Sequence, residues 1–408
     1  MRLIVVAVAA LALAAGCGSG GSSSAGNGGG SSATQPSSSA STPSGTPIKI
    51  GNVGTYSGFA GTTSIGSKYG MQAWASYVNA HGGINGHPVD LIVKDDQGSA
   101  TNALAAVKEL VSQDHVIAIV GQHESGLESS WASYVSAQHI PVIGGPASAA
   151  DWLTNPDFFP TSTTALNTLT LTMYTTLLAG QKKYGIIYCA EVPGCAQAGT
   201  ISKGIAGPLK VTYSGAVALS ASAPNYAAQC VTLKNAGAQI VFTATAIDTA
   251  KRFIANCAQQ GYKPLFIDNP QNWSSAETKG SVWQGSWLAA DSASWLMDNN
   301  VMSAYKAAMA TYQPSAEIAN TSATASWVAG EVFGAALAKS GATGTPTSAD
   351  VLKGLYVLGP DFDLNGSIPP VTYTAGKPAV QKTCGWFMKI TGGQVTAPKG
   401  TGQICVGG

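Results

Sequence analysis

His123, Glu124 and Ser125 stand side by side, and they are the base, acid and nucleophile types of a hydrolase. Three consecutive residues do not aim their side chains at one another, whereas a nucleophile, its base and the orienting group must converge. The run also lacks the G-x-S-x-G turn of an exposed nucleophile, because His123 stands where the first glycine belongs. Binding suits this loop better: its N–H groups and short hydroxyls can receive a carboxylate or an amide. Tyr56-Ser57-Gly58 and Ala147-Ser148 offer the same chemistry. A second set is acidic or amide-bearing: Glu191, Asp248 and Asn269, the last within Asp268-Asn269-Pro270-Gln271-Asn272-Trp273. A carboxylate there can hold an ammonium group, and Trp273 can stack on a ligand or pack in a core. Asp361–Gly366 matches the first half of a calcium loop, but Thr372 stands at position twelve, where that loop needs a bidentate glutamate. It reads as a hairpin turn. No Cys/His spacing fits zinc, so neither metal nor cofactor is expected.

These loops need strands beneath them. Ile48, Ile50 and Val53 begin a short β-prone run, followed by the glycine-rich loop Gly54–Gly61. Met71, Trp74, Ala75 and Val78 recur at helical spacing, Gly82-Gly83 stops that helix, and Asn85-Gly86 turns the chain into Val89–Val93. This is one βαβ unit. A helix at 103–111, a strand at 116–120, a helix at 126–137 and a strand at 140–143 continue the alternation. The class is therefore α/β with parallel sheets. A second series runs from Leu166 to Ile267, with strands expected at 184–188, 211–217, 239–243 and 265–267. Long helices follow at 301–312 and 319–339. Ligands of such sheets sit beyond the carboxyl ends of the strands, where all the loops above lie.

Four stretches resemble the leucine/isoleucine/valine-binding type of ABC-transporter substrate-binding protein. They are IGNVGTYSG at Ile50, NAHGGINGHPVDLIVKDDQ at Asn79, VIAIVGQHESG at Val116 and IPVIGGPAS at Ile140. The resemblance implies a two-lobed, type 1 periplasmic-binding fold, each lobe a mainly parallel sheet flanked by helices, with three crossings as a hinge. Lobe one would take residues 48–163 and 291–358, and lobe two residues 164–290 and 359–408. It implies a protein that captures a small polar solute (an amino acid, amide or related carboxylate) without chemistry and delivers it to the membrane subunits of an ABC importer. Tyr56, Ser57, His123, Glu124, Ser125, Ala147 and Ser148 fall where that family's lobe-one contacts lie. Glu191, Asp248 and Asn269 are the lobe-two candidates, although the family often has an aromatic near Glu191. A ligand-sensing receptor component is the alternative, and a serine hydrolase at Ser125 the more distant one.

The chain has 408 residues, 45% hydrophobic and only 10% charged, with net charge +1. Such a balance carries no basic patch for nucleic acid. Residues 1–16 read as a signal peptide, Arg2 followed by an apolar run too short to span a bilayer. The run ends Ala14-Ala15-Gly16-Cys17, similar to a bacterial lipobox, so Cys17 is expected to carry lipid and anchor a monomer to the outer face of the cell membrane. Residues 17–47 are nearly all Gly, Ser, Ala, Thr and Pro, a flexible tether with a reach of about 30 Å. Six further cysteines remain, an even count that favours disulfides in an exported chain. Of their 15 possible pairings, sequence neighbours suggest Cys189–Cys195, Cys230–Cys257 and Cys384–Cys405.

Overall fold

The computed structural model describes residues 42–58, 61–124, 126–191 and 195–407. The signal peptide, Cys17, residues 18–41 of the tether and Ser125 lie outside the described residues. Alternation of β-branched runs with helices builds two sheets. The first contains β1 (Ile48–Gly54), β2 (Val89–Asp95), β3 (Ile119–Val120), β4 (Val142–Ile143) and β5 (Phe158–Phe159), in the order β2-β1-β3-β4-β5. All its pairings are parallel. The second contains β6 (Lys183–Cys189), β7 (Thr212–Leu219), β8 (Ile240–Ala244), β9 (Leu265–Asp268) and β10 (Trp287–Ala290), ordered β7-β6-β8-β9-β10. The two sheets thus repeat one topology. In each, the order reverses between the first and third strand, which opens a crevice at the carboxyl ends. Hairpin β11 (Val371–Thr374) and β12 (Lys377–Gln381) is a separate two-stranded sheet. β13 (Cys384–Thr391) joins β10 antiparallel, and β14 (Gln394–Thr396) and β15 (Ile404–Cys405) pair with β13.

The helices of the first lobe are α1 (Gly61–Ala80), α2 (Ala100–Ser112), α3 (Ala132–Ala137) and α4 (Asp151–Thr154). The second lobe supplies α5 (Ala165–Leu178), α6 (Cys195–Ala206), α7 (Ala227–Asn235), α8 (Ile247–Gln259) and α9 (Ser275–Lys279). The chain then returns to the first through α10 (Asn300–Tyr312), α11 (Thr321–Ser340) and α12 (Ser348–Tyr356). α11 starts at a firm signal: the Asn320 side chain accepts from the N–H groups of Ser322 and Ala323. It packs along α1 at close range. A Cβ on Gly70 would meet the Ala323 carbonyl oxygen at 2.3 Å, so glycine is required for that approach. The single helix expected at 126–137 is instead a 3-10 turn at Glu128–Ser130 followed by α3. Trp131 leaves helical geometry between them, stacks on Phe158 and donates from Nε1 to Glu124 Oε2 at 2.6 Å. Burial of that ring outweighs one continued helical turn.

Three segments pass between the lobes, and one side chain ties them together. Thr163 donates from its N–H and its Oγ1 to the Asp291 carbonyl, at 2.7 and 2.9 Å, and Oγ1 lies 3.3 Å from the Cys384 carbonyl. Gln381 Nε2 donates to the Ser162 carbonyl at 3.0 Å. Hairpin β11–β12 packs on α12, α4 and β5, and Tyr373 donates to the Pro160 carbonyl at 2.9 Å. The hairpin therefore sits with the first lobe, whereas the sequence reading assigned everything from 359 onward to the second. The last crossing falls between Gln381 and Cys384. Asp361–Gly366 is a turn, with Phe362 bridged to Val371. Disulfides join Cys189 to Cys195, Cys230 to Cys257 and Cys384 to Cys405, all within the second lobe.

Candidate functional site: a cleft between two sets of strand ends

The switch point of the first sheet is stitched by side chains. Asn52 donates from Nδ2 to the carbonyls of Val120 and Gly121, at 3.0 and 2.7 Å, and accepts at Oδ1 from the Tyr56 hydroxyl. Thr55 Oγ1 donates to Asp96 Oδ1 at 2.7 Å. Tyr56 is therefore turned inward, and burial pushes its hydroxyl pKa up. Ser57 is exposed. His123 continues the β1–β3 ladder: its N–H donates to the Val53 carbonyl and its own carbonyl accepts from Thr55. Its ring is buried, with Nδ1 unpartnered among the described residues, and desolvation lowers its pKa to about 3, so it is neutral near pH 7. Glu124 points down onto Trp131, and burial together with the nearby Glu128 carboxyl holds its pKa well above the usual range.

The loop after β4 is held against this one. Gly145 has φ +99°, and a Cβ there would stand 2.0 Å from the Gln122 carbonyl oxygen, so only glycine lets the two loops touch. Gln122 Nε2 lies 3.2 Å from both the Pro146 carbonyl and Glu128 Oε1. Ala147 is buried and pairs in parallel with Thr164 at the first crossing, which leaves Ser148 exposed beside the gap between the lobes.

Opposite lie the ends of β9 and β10. Asn269 Nδ2 and Gln271 Nε2 both donate to Asp291 Oδ2, at 2.9 and 2.6 Å. Asp291 is 5% exposed, and its burial raises its pKa. Asp268, one residue before Asn269, accepts from Thr243 Oγ1 at 2.7 Å and is pushed up to about 7 by burial. Pro146, Ala147 and Ser148 on one side and Asn269, Gln271 and Asp291 on the other enclose a cavity of about 250 Å³, with Thr163, Leu169 and Ala198 completing its walls.

A second cavity of about 310 Å³ lies farther along the same cleft, between Thr62, Ile65 and Tyr69 of α1 and Asp248, Trp273 and Glu277 of the second lobe. A bridge of hydrogen bonds separates the two cavities: Ser322 Oγ reaches the carbonyls of Thr63 and Gln271 at 2.9 and 2.8 Å. Asn320 Nδ2 donates to the Trp273 carbonyl at 3.3 Å, and the Ser275 N–H donates to Glu317 Oε2 at 3.0 Å. A third cavity of about 380 Å³ opens on the flank of the second lobe beside α8 and β9, lined by Tyr262, Leu265 and Val282. It touches neither set of strand-end loops, so the interlobe cavities are the ones a fold of this topology places for a ligand.

Of the residues singled out in the sequence, Ala147, Ser148 and Asn269 meet at the first cavity. Asp248 lines the second, its side chain 88% exposed and 3.3 Å from Lys251. Glu191 turns away toward β7, accepting from Ser220 Oγ and the Ala221 N–H at 3.0 and 2.6 Å. Tyr56, His123 and Glu124 are buried beneath the first lobe's loops. Trp273 is buried, with Nε1 donating to Thr278 Oγ1 at 2.8 Å. Gln271 was named only as a member of its loop, and Asp291 and Thr163 were not singled out. The signal available for Asp291 was its position directly after a strand-forming Trp287–Ala290 run.

Two parallel lobes with one topology, three crossings and a cavity between their strand ends are the architecture of a bilobal binding protein. The chain belongs to the periplasmic binding protein family, which it matches over residues 47–394. That membership places it outside the cytoplasm, in a family of binding proteins. Among the described residues no helix is long and apolar enough to cross a membrane. An amino acid binding protein of Pseudomonas aeruginosa is 32% identical over 111 residues, which is 27% of this chain and 28% of that relative's length. A possible leucine/isoleucine/valine-binding protein from Rhodopirellula baltica SH 1 superposes with TM-score 0.71 at 14% identity, covering 90% of this chain and 98% of that one. An ABC-transporter solute binding protein of Rhodopseudomonas palustris HaA2, in complex with p-hydroxybenzoic acid, superposes with TM-score 0.67 at 15% identity, covering 88% and 97%. At such identities the structural likeness establishes the fold.

Proposed function

We propose that the protein is the solute-receiving component of an ABC importer, tethered to the outer face of the cell membrane through lipid on Cys17. It holds a small polar solute, of the amino acid, amide or carboxylate kind, between its lobes and performs no chemistry on it. The observation that carries this reading is the cavity of about 250 Å³ walled from both lobes beside the crossing at Thr163. Neither lobe alone makes the site, so closure and binding are one event. Ser148 and Asn269 are the proposed contacts from the two sides. Ser57 belongs to a neighbouring strand-end loop, Ser125 is kept as a candidate from the sequence, and Asp248 lines the second cavity.

A thermal-shift screen against a metabolite panel tests the binding role. A ligand at a hundred times its dissociation constant adds about 2.7 kcal/mol of stability. At least one small polar solute is expected to raise the melting temperature, with no turnover of ester or amide probes. Steady hydrolysis lost in Ser125→Ala would overturn the reading in favour of an enzyme. For the anchor, Cys17→Ala is expected to move the protein from the membrane fraction to the soluble one. Unchanged partitioning would remove the lipid from the proposal.

A further inference from the structure

We propose that the second lobe carries a face for anionic lipid headgroups, at the end of its sheet opposite the solute cleft, through which the domain lies against a membrane surface. The net charge of +1 hides a division between the lobes. Residues 48–163 hold four lysines against nine carboxylates, whereas residues 164–290 hold eight lysines and one arginine against four. Residues 382–408 add three lysines and no acid. The excess is also sorted along the strands. Lys182 precedes β6 and Lys183 begins it, Lys210 stands two residues before β7 and Lys263 two residues before β9. Lys203 and Lys234 lie in the last turns of α6 and α7, the helices that return the chain to that same end. All six are exposed, and none is ion-paired among the described residues. The four acids of the stretch, Glu191, Asp248, Asp268 and Glu277, all lie at or beyond the carboxyl ends. The amino-terminal end therefore presents cations with no carboxylate of the same lobe among them.

Cations that answer helix dipoles do not account for this. The first sheet repeats the topology, so its helices end at the corresponding edge, yet there Lys49 is outnumbered. Asp90 stands in β2, and Asp114 and Asp157 on the approaches to β3 and β5. Lysines without arginine suit a fluid phosphate surface: an ammonium is a point charge, whereas a fixed carboxylate on a protein partner is met better by the planar fork of arginine. The neighbours β7, β6, β8 and β9, at about 4.8 Å each, spread the charges over roughly 15 Å, a face and not a pocket for one anion. Apolar surface adjoins it. The cavity of about 380 Å³ opens beside the starts of β9 and β10, lined by Lys263 together with Ile254, Pro264, Leu265 and Val282. Val282 is 36% exposed. Lysines beside exposed apolar walls match a lipid, which offers phosphate and hydrocarbon side by side.

The test uses the full chain from residue 17 with Cys17→Ala, so that no lipid is attached. The probes are vesicles of phosphatidylcholine, with and without an equal share of phosphatidylglycerol. Binding is read by co-sedimentation at low and at high salt. At low salt the anionic vesicles are expected to bind the chain about tenfold or more tightly than the neutral ones, and high salt to remove the difference. Each lysine beside an anionic surface is worth about fivefold, so Lys182→Glu/Lys210→Glu/Lys263→Glu should lose about a hundredfold or more. Lys49→Glu/Lys339→Glu/Lys377→Glu makes the same change of net charge on exposed lysines of the first lobe and should lose less than about fivefold. The lipid preference needs no variant, so a variant that folds poorly leaves that preference to decide. Equal binding to both vesicles, no binding to the anionic ones at low salt, or equal losses in the two triple variants would overturn the inference and leave this pole to a protein partner. Neither the solute cleft nor lipid on Cys17 enters the measurement, so its failure leaves the proposed function standing.

Discussion

Replacing both Cys230 and Cys257 with alanine is expected to lower the stability of the folded chain by about 3.5 kcal/mol, the loop-closure figure for cysteines this far apart. The two are 27 residues apart in sequence and both fully buried. They join α7 to α8, whose side chains Leu233, Phe253 and Cys257 share one core against β8. Unlinking them widens the unfolded ensemble and leaves the folded helices where packing already holds them. The denaturant midpoint should fall while the m-value rises, because a longer unlinked chain exposes more surface on unfolding. The Cys189–Cys195 bond closes only a 6-residue separation, so its removal should cost about 1 kcal/mol less by the same relation. Chemical denaturation of the two double variants under oxidising conditions gives the answer. An equal loss in both, or none in the first, would show that loop entropy is not what these bonds contribute.

That pairing was legible because each partner lies in the next element along the chain or the next but one. The bonds join β6 to α6, α7 to α8 and β13 to β15, so short sequence separation coincided with spatial adjacency. The two α/β series were legible for a related reason. Strands buried on both faces read as continuous β-branched runs, and the helices between them carry apolar stripes. Hairpin β11–β12 was not legible. Its residues VTYT and KPAVQ alternate weakly and include a proline, and its place on the first lobe depends on Tyr373 reaching Pro160, 213 residues away in sequence.

The site divides in the same manner. Its loops could be found, because strand ends announce them. Which side chains turn into the cleft could not be, because that depends on the backbone ladder. His123 pairs with Gly54, which sends its ring inward, and Glu124 is drawn down by the indole of Trp131. Asn269, Gln271 and Asp291 come from the ends of two neighbouring strands and form a unit only when β9 and β10 pair. Polar residue types at a strand end are shared by contacts and by structural ties, and composition does not distinguish them.

Acidification from pH 8 to pH 5 is expected to stabilise the protein, and Glu128 is the residue that should contribute most visibly in the first lobe. It is fully buried, accepts at Oε1 from Gln122 Nε2 and Trp152 Nε1 at 3.2 and 3.3 Å, and Oε2 has no partner among the described residues. Burial pushes its pKa up from 4.5 to about 7. Below the unfolded value both states are protonated and the group is neutral to folding. Between the two values the fold keeps a proton that the unfolded chain releases. Above about 7 both are ionised, and the fold bears the full cost of a buried charge. A shift of this size corresponds to about 3 kcal/mol, present below pH 4.5 and lost as pH rises through 7. Asp268, also pushed up to about 7 by burial, acts in the same direction in the second lobe. His123, lowered to about 3, opposes both as pH falls below about 6.5. The wild-type slope therefore holds all three, and only the comparison with Glu128→Gln isolates one. Glu128→Gln keeps the acceptor for Gln122 and Trp152 but cannot ionise. It should be more stable than wild type at pH 8, close to it at pH 5, and about 2.5 kcal/mol flatter between them. Urea denaturation of both proteins at several pH values measures the difference in slope directly. Parallel pH profiles, or a variant less stable than wild type at pH 8, would mean that Glu128 is ionised in the folded chain and held by donors other than the two named here.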